Sequence, residues 1–212
     1  MLDVVNLCCE RGERTLFTGL EFAVAARSLL RVAGPNGTGK TSLLRMLCGL
    51  LEPVAGEVRW HGRDIRRQRE EYWKDLVYVG HLNGVKEDLT VYENLKVAQA
   101  VAGRGAEHEA LRCALDAVGL ARFEHTIARR LSQGQRRRVA LARLFVTTTA
   151  PLWILDEPFI ALDQRGVAAL SARIASHIGS GNMVVLVTHQ DVAIDVPHQQ
   201  HIELAGHAAA VV

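Results

Sequence analysis

Short apolar runs that end on glycine or on polar residues recur along the chain and predict the strands of a sheet. They are SLLRVAG at 28–34, GEVRWHG at 56–62, DLVYVGH at 75–81, LWILDE at 152–157 and NMVVLVTH at 182–189, followed by HQQHIELAGH at 198–207. Several are apolar at consecutive positions, which is typical of strands buried on both faces of a mostly parallel sheet. The pattern therefore predicts an α/β protein whose sheet is covered by helices.

Helical spacing dominates two other parts of the chain. Leucines three and four residues apart share one face of a predicted helix over 41–51, directly after the first apolar run. Between about 90 and 148 the pattern is helical throughout, in VYENLKVAQAVAG, HEALRCALDAVGL and QGQRRRVALARLFV. This second part predicts an all-helical block inserted between strands of the sheet.

Composition and charge exclude several classes of protein. The chain has 212 residues, a net charge of +2 and an ordinary hydrophobic content of 49%, so its overall charge does not support a nucleic-acid partner. No apolar run approaches the roughly 20 residues that span a bilayer, and the N-terminus does not resemble a signal peptide. The four cysteines form no C-x-x-C pair. We therefore expect reduced thiols and a chain that does not itself cross a membrane.

The segment GPNGTGKT follows the first apolar run and matches the phosphate-binding pattern G-x-x-x-x-G-K-[ST] in full. Glycines let the backbone wrap round phosphates, Lys40 reaches the β and γ phosphates, and the Thr41 hydroxyl coordinates Mg²⁺. The structural alternative, a glycine turn before a helix, does not explain the complete match. The predicted ATP-binding residues are Gly34, Pro35, Asn36, Gly37, Thr38, Gly39, Lys40, Thr41 and Ser42.

Polar residues follow two later apolar runs at the ends of their strands, where ligands bind in open α/β sheets. Asp156 can hold Mg²⁺ together with Thr41, and Glu157 can polarise an attacking water. His189 ends the second of these runs and can contact the γ-phosphate. Either strand end alone would be read as a structural turn. Together with the phosphate loop, they predict that Lys40, Glu157 and His189 are catalytic.

The stretch LSQGQ raises a question, because it opens a basic amphipathic helix and so forms a second anion-binding helix end in one domain. With the other motifs in this order, it resembles the signature sequence of the ATP-binding cassette (ABC) ATPases. The resemblance covers roughly residues 3 to 205. It implies that the signature of one subunit caps the ATP held by its partner, in a homodimer. The signature residues are Leu131, Ser132, Gln133, Gly134 and Gln135.

The resemblance also implies a domain plan. It predicts a P-loop NTPase fold, with an ABC ATPase core, a mostly parallel sheet, a small antiparallel β part and an inserted all-helical subdomain. The single domain would cover residues 1–212, with its core at 1–81 and 149–212 and the signature-bearing helical subdomain at about 82–148.

Further residues are assigned by their place in the family pattern. Asp163 resembles the D-loop aspartate at the dimer seam, and TVYENL at 90–95 resembles the segment that contacts a membrane partner. His81 stands where the Q-loop glutamine is usual, and it can still hydrogen-bond a water near Mg²⁺.

Arg11 takes the place of the adenine-stacking aromatic, with Phe17 as a competitor. Arginines 136 to 138 are expected to form a solvated basic face.

Within the family, the chain resembles the ATP-binding subunit of a bacterial haem exporter that serves c-type cytochrome assembly. The dipeptide Gly80-His81 and the phrase LWILDEPFIALD carry this likeness. The resemblance implies ATP and Mg²⁺ as cofactors, integral membrane subunits of that exporter as partners, and a peripheral place on the cytoplasmic face of the inner membrane. An exporter ATPase for another substrate is the alternative.

Proteins of other classes fit the sequence less well. A GTPase would need an N-K-x-D element, and a small-molecule kinase would leave LSQGQ and His189 without a role. A chromosome-organising ATPase would interrupt the cassette with a long coiled coil, and residues 50 to 130 carry no sustained heptads. A binding module without activity does not account for Glu157.

Overall fold

The computed structural model describes residues 1–146 and 149–205, together with the backbone of 209–211. The strands are β1 (Leu2–Arg11), β2 (Arg14–Val24), β3 (Ser28–Ala33), β4 (Ala55–Trp60), β5 (Arg63–Asp64), β6 (Leu76–Val79), β7 (Leu152–Asp156), β8 (Met183–Val187), β9 (His198–Leu204) and β10 (Ala209–Val211). The α-helices are α1 (Lys40–Leu47), α2 (Arg69–Lys74), α3 (Val91–Val101), α4 (His108–Ala117), α5 (Gln133–Val146) and α6 (Gln164–Gly179). Short 3₁₀ helices cover Ile65–Arg67, Ala121–Phe123 and Ala128–Arg130.

Two sheets form the core of the molecule. The larger sheet has the strand order β10-β9-β3-β8-β7-β6 and is parallel except for β10, which pairs antiparallel with β9. The smaller sheet, in the order β2-β1-β4-β5, is antiparallel. The P-loop NTPase architecture predicted from the sequence, with its mostly parallel sheet and small antiparallel part, is confirmed.

The central strands are buried on both faces because alternate residues enter different hydrophobic cores. In β7, Leu152 and Ile154 join the core that contains α1 and the antiparallel sheet. Trp153 and Leu155 join a second core, which is shared with α5 and α6. All five residues of β7 and all five of β8 are buried. Packing on both faces holds the parallel strands β3, β7 and β8 in place, with their carboxyl ends at one edge of the sheet.

The inserted helices pack mainly on one another. A third hydrophobic core is built from α3, α4 and α5, with Leu95, Leu115 and Val139 among its buried members. Helix α5 also contributes Leu141 and Leu144 to the second core. The signature-bearing helix α5 therefore packs both against the other inserted helices and against the parallel sheet.

Most elements predicted from the sequence are present, with differences at their ends. The six predicted strands correspond to β3, β4, β6, β7, β8 and β9, although residues 206–208 of the last run lie outside the described residues. Helix α1 ends at Leu47 and not at residue 51, because Gly49 adopts a left-handed φ of 68° beyond the helix end.

Several elements were not predicted from the sequence: the β1–β2 hairpin, the short β5 and α2, and helix α6. Helix α6 carries a helical spacing that could have identified it, in which Leu170, Ile174 and Ile178 are buried. Asp163 also caps its first turn.

Candidate nucleotide-binding site

A cavity of about 480 Å³ opens at the carboxyl ends of β3, β7 and β8. It is lined by residues of the N-terminal hairpin, the glycine-rich loop, the strand ends and the segment after β6. The lining residues are Arg11, Arg14, Leu16, Asn36, Gly37, Gly39, Lys40, Thr41, Ser42, His81, Asp156, Glu157, Ile160, Val187 and His189. Residues that are far apart in the sequence therefore meet around one space.

The loop before α1 is shaped to surround an anion. Gly34 has a φ of 138°, and a Cβ there would lie 2.4 Å from the backbone oxygen of Leu204, so only glycine fits. Gly39 has a φ of 102° at the N-cap of α1 and provides no side-chain cap. The backbone N–H groups of the first helical turn are therefore available to a phosphate, where the helix dipole also favours negative charge.

Lys40 lies inside this loop and holds it in shape. Its Nζ donates to the carbonyl oxygens of Gly34 at 2.7 Å and Pro35 at 2.9 Å, and only 8% of the residue is exposed. Burial lowers the pKa of Lys40, while the carboxylates of Glu157 and Asp156 act in the opposite direction. No carboxylate of the described residues forms an ion pair with this ammonium group, which is therefore suited to bind phosphate oxygens.

Thr41 and Asp156 form a pair at the floor of the cavity. The Thr41 hydroxyl donates to Asp156 Oδ2 at 3.0 Å, and Asp156 is 2% exposed. One hydroxyl oxygen and one carboxylate oxygen at this spacing are the oxygen donors that Mg²⁺ prefers in nucleotide sites. The donor set fits the ion that the sequence predicts.

Glu157 occupies a strained turn directly after β7. Its φ is 50°, which is unusual for a residue with a side chain. Glu157 Oε2 accepts from the backbone N–H of His189 at 3.3 Å. Oε1 lies 3.5 Å from His189 Nε2, and within the described chain it has no hydrogen-bond partner although it is buried. A carboxylate oxygen in this state is suited to accept a proton from a water.

The signature forms the start of α5 and does not line the cavity of its own chain. Gln135 donates its backbone N–H to Ser132 Oγ at 3.2 Å, while Ser132 donates its backbone N–H to Gln135 Oε1 at 2.9 Å. This reciprocal pair is a capping box, so Ser132 is the N-cap of the helix. Leu131 is buried, whereas Ser132 and Gln133 are exposed. The polar part of the signature therefore faces outward.

The prediction of a solvated basic face over residues 136 to 138 is wrong. Arg137 is 6% exposed and its guanidinium points into the protein. Arg136 pairs with Glu87 at 2.7 Å, and Arg138 pairs with Asp163 at 3.1 Å. A charged side chain is usually exposed to solvent, but the guanidinium of Arg137 is buried because it donates hydrogen bonds to backbone carbonyl oxygens at nearby strand ends.

Asp163 joins two elements beside the signature. Its carboxylate accepts from the backbone N–H of Gly166 at 2.8 Å, which caps α6, and it also pairs with Arg138 of α5. These contacts lower the pKa of Asp163, the backbone hydrogen bond having the largest effect. Asp163 and helix α5 thus share one surface.

The other end of the cavity contains the side chains that decide between the two candidates for stacking on a base. Phe17 is 1% exposed and packs under Gly39, so it cannot stack on a ligand in this conformation. Arg11 lines the cavity, as does Arg14, which the sequence analysis missed. The two arginines face each other across the β1–β2 hairpin. Arg14 could have been identified from the two-residue Gly-Glu connection between two apolar runs, which is typical of a β-hairpin.

The sequence is similar to those of known proteins along most of its length. The family model described as ABC transporter matches residues 17–160. The chain is 50% identical to the cytochrome c biogenesis ATP-binding export protein CcmA of Aromatoleum aromaticum, with 93% of this chain and 92% of that protein covered. For the protein of the same name from Dechloromonas aromatica the identity is 52%, with 92% and 95% covered.

Solved structures give the same result for the fold. An ATP-binding subunit of an ABC transporter has a TM-score of 0.86 at 23% identity, covering 100% of this chain and 90% of that one. The dimeric structure of MJ0796, a bacterial ABC transporter cassette, has a TM-score of 0.82 at 22% identity, covering 100% and 98%.

A phosphate loop, an acidic strand end and a signature helix on this fold define an ATP-binding ATPase of the P-loop class. The chain belongs to the ABC transporter family and, within it, to the cytochrome c biogenesis ATP-binding export proteins. Among the described residues, no helix combines the length and the apolar character needed to span a membrane.

Proposed function

We propose that the chain is the ATP-hydrolysing subunit of a bacterial ABC export complex that delivers haem for c-type cytochrome biogenesis. The observation that carries this proposal is a sequence identity of 50% and 52% to two proteins named for cytochrome c biogenesis and export, over nearly their full length. Hydrolysis would release the haem-loaded periplasmic chaperone. The intact set of Lys40, Asp156 and Glu157 supports a subunit that hydrolyses ATP.

Each site residue has a proposed role that follows from its surroundings. Backbone N–H groups of the loop and Lys40 Nζ would bind the β and γ phosphates of ATP. Thr41 and Asp156 would hold Mg²⁺, which neutralises phosphate charge when it is bound. Glu157 Oε1, which lacks a partner within the described chain, would accept a proton from the attacking water. His189 would contact the γ-phosphate.

The proposed working unit is a homodimer in which Ser132, Gly134 and Gln135 complete the partner's site. The exposed polar start of α5, outside its own cavity, supports this role. ATP would favour the closed dimer because it contacts both subunits only in that state, and hydrolysis would reopen the dimer. The helical part at about 82–148 would move against the core at 1–81 and 149–212.

Membrane subunits are proposed to bind the segment between His81 and Asn94. Leu82 is 87% exposed there and is therefore accessible to a partner. Asn94 holds the other end of the segment, accepting from the backbone N–H of Lys86 at 2.7 Å and donating to its carbonyl at 2.9 Å. Such contacts would place the chain at the cytoplasmic face of the bacterial inner membrane.

The test uses a variant that would bind ATP without hydrolysing it. Tagged Glu157→Gln protein is purified from native membranes with ATP and Mg²⁺, co-purifying proteins are identified by mass spectrometry, and a haem absorbance spectrum is recorded. We expect ATP-dependent recovery of membrane subunits with a haem-containing chaperone. The Lys40→Ala protein, which would not retain ATP, is the control.

Two other results would change the assignment. A different permease without haem would support the alternative of an exporter ATPase for another substrate. A Glu157→Gln protein that stays monomeric with ATP and hydrolyses it at the normal rate would contradict the mechanism.

A further inference from the structure

Arg137 is buried at the point where three parts of the molecule meet. Its Nη1 donates to the carbonyl oxygen of Gly80 at 2.6 Å and contacts Asn83 Oδ1 at 3.3 Å. Its Nη2 donates to the carbonyl oxygens of Asp156 at 2.6 Å and Glu157 at 2.9 Å. One guanidinium on the signature helix thus contacts the end of β7, the strained turn of Glu157 and the segment that leads to the Q-loop.

The contact with two successive carbonyls is specific to the conformation of the turn. In an extended strand, successive carbonyl groups point to opposite sides, so one donor nitrogen cannot bind both. The left-handed φ of 50° at Glu157 breaks this alternation, and both oxygens reach Nη2 of Arg137. The guanidinium therefore stabilises the backbone conformation that aims the Glu157 side chain.

Arg137 does not line the nucleotide cavity, so it cannot act by touching ATP. The residues whose carbonyls it holds either line the cavity, as Asp156 and Glu157 do, or precede a lining residue. Gly80 precedes His81, and Asp156 and Glu157 are bound directly through their backbone. Any effect on hydrolysis must therefore pass through the position of these residues.

The same helix begins with the signature at Ser132, just over one turn before Arg137. A small displacement at the start of α5 would move the guanidinium and its acceptors together, because buried charge-assisted hydrogen bonds are costly to break. Removing Arg137 should not detach the helix, since Arg143 holds the same helix to the Tyr78 carbonyl of β6 at 3.0 Å.

We propose that Arg137 is a positioning residue for ATP hydrolysis. It couples the signature helix to the Glu157 turn and to the start of the His81 segment within one chain, without contacting the nucleotide. This inference rests on the proposed role of Glu157 in polarising the attacking water.

The test compares Arg137→Gln with Arg143→Gln on the full chain, together with the membrane subunits that co-purify with it. Both changes remove a guanidinium of α5 that donates to a backbone carbonyl of the parallel sheet, but only Arg137 contacts the Glu157 turn. For Arg137→Gln we expect kcat for ATP to fall at least about tenfold, with KM within about twofold of the original. For Arg143→Gln we expect both constants within about twofold.

Two further variants separate positioning from folding. Arg137→Lys keeps the charge but lacks the fork, so its kcat should lie between those of the original and Arg137→Gln. In the Glu157→Gln background, Arg137→Gln should leave ATP-dependent dimerisation intact, as measured by size-exclusion chromatography with light scattering.

Several outcomes would overturn the proposal. A full rate in Arg137→Lys would show that charge alone suffices, and an equal loss of kcat in Arg143→Gln would show a general requirement for the anchored helix. Failure of both Arg137 variants to fold, or loss of the ATP-dependent dimer, would make Arg137 a structural residue. If Glu157→Gln itself hydrolysed ATP normally, the proposed function of Glu157 would fail instead.

Discussion

His177 shows how a single residue is adapted to the interior of this protein. It is 2% exposed on α6 and stacks on Trp153 with ring centroids 3.7 Å apart and an interplanar angle of 10°. Arg173, one turn earlier, lies over the Trp153 ring at 5.2 Å. Burial lowers the pKa of His177 from 6.5 to about 4, and the charge of Arg173 acts in the same direction. The imidazole is therefore neutral in the folded protein.

This burial predicts a loss of stability in mild acid. Between about pH 6.5 and pH 4 the unfolded chain binds a proton at His177 that the folded chain does not, so the free energy of unfolding decreases as pH falls. Replacing His177 with Phe keeps an aromatic ring on Trp153 and removes the titration. The decrease in unfolding free energy from about pH 7 to about pH 4 should then shrink by roughly 3 kcal/mol.

Urea denaturation of the isolated chain at several pH values measures this effect. His125→Gln, which changes an exposed histidine, is the control and should keep the original pH dependence. Parallel stability profiles for His177→Phe and the original protein would show that the buried imidazole is not responsible.

At the scale of elements, two helices of the inserted block begin with the same kind of cap. In α3, Glu93 donates its backbone N–H to Thr90 Oγ1 at 3.1 Å, and Thr90 donates its own to Glu93 Oε2 at 2.8 Å. In α5, Ser132 and Gln135 form the equivalent pair. The two caps stabilise their helices in the same way, but only the second belongs to the signature.

This likeness allows the stabilising role of Ser132 to be separated from its proposed role in catalysis. Ser132→Ala and Thr90→Ala should each lower the free energy of unfolding by about 1 kcal/mol, because each leaves an N-terminal N–H group without its cap. Only Ser132→Ala should also lower ATP hydrolysis, by about tenfold or more. Thermal denaturation and a phosphate-release assay on the isolated chain measure the two effects. An equal loss of hydrolysis in both variants would mean that the signature serine acts through helix stability alone.

At the scale of the whole molecule, the surface next to the signature is the face that the proposed homodimer would use. A Cβ on Gly134 would lie 3.5 Å from the Ala161 side chain, so the start of α5 packs closely against the segment before Asp163. The Arg138–Asp163 pair continues this surface to α6. The signature and the segment from Ala161 to Asp163 are therefore held together as one face.

A mixing experiment tests whether this face completes the site of a partner. In the Glu157→Gln background, Lys40→Ala and Ser132→Arg should each abolish ATP retention when present alone. Mixed together they should retain ATP, because a heterodimer contains one site built from an unaltered phosphate loop and an unaltered signature. Nucleotide is measured after gel filtration of the mixture. No retention in the mixture, under conditions in which the Glu157→Gln protein retains ATP, would argue against sites shared between chains.

The sequence by itself determined the features that depend on neighbouring residues. Consecutive apolar residues identified the central strands, and the phosphate loop was identified because its glycines and Lys40 lie within one short segment. The strand ends at Asp156 and Glu157 were also found, because polar residues that close a buried strand are a local pattern. Fold class and most residues that line the cavity could therefore be predicted.

Only the tertiary structure decided the features that depend on distant contacts. Arg137 was expected in solvent and is buried, because the carbonyls that accept it come from β7 and from the segment after β6. Phe17 is buried because it packs under Gly39, and Arg14 reaches the cavity because the hairpin places it opposite Arg11. A pattern along the chain shows which residues are polar or apolar. The environment of each side chain is set by elements that are remote in sequence and adjacent in space.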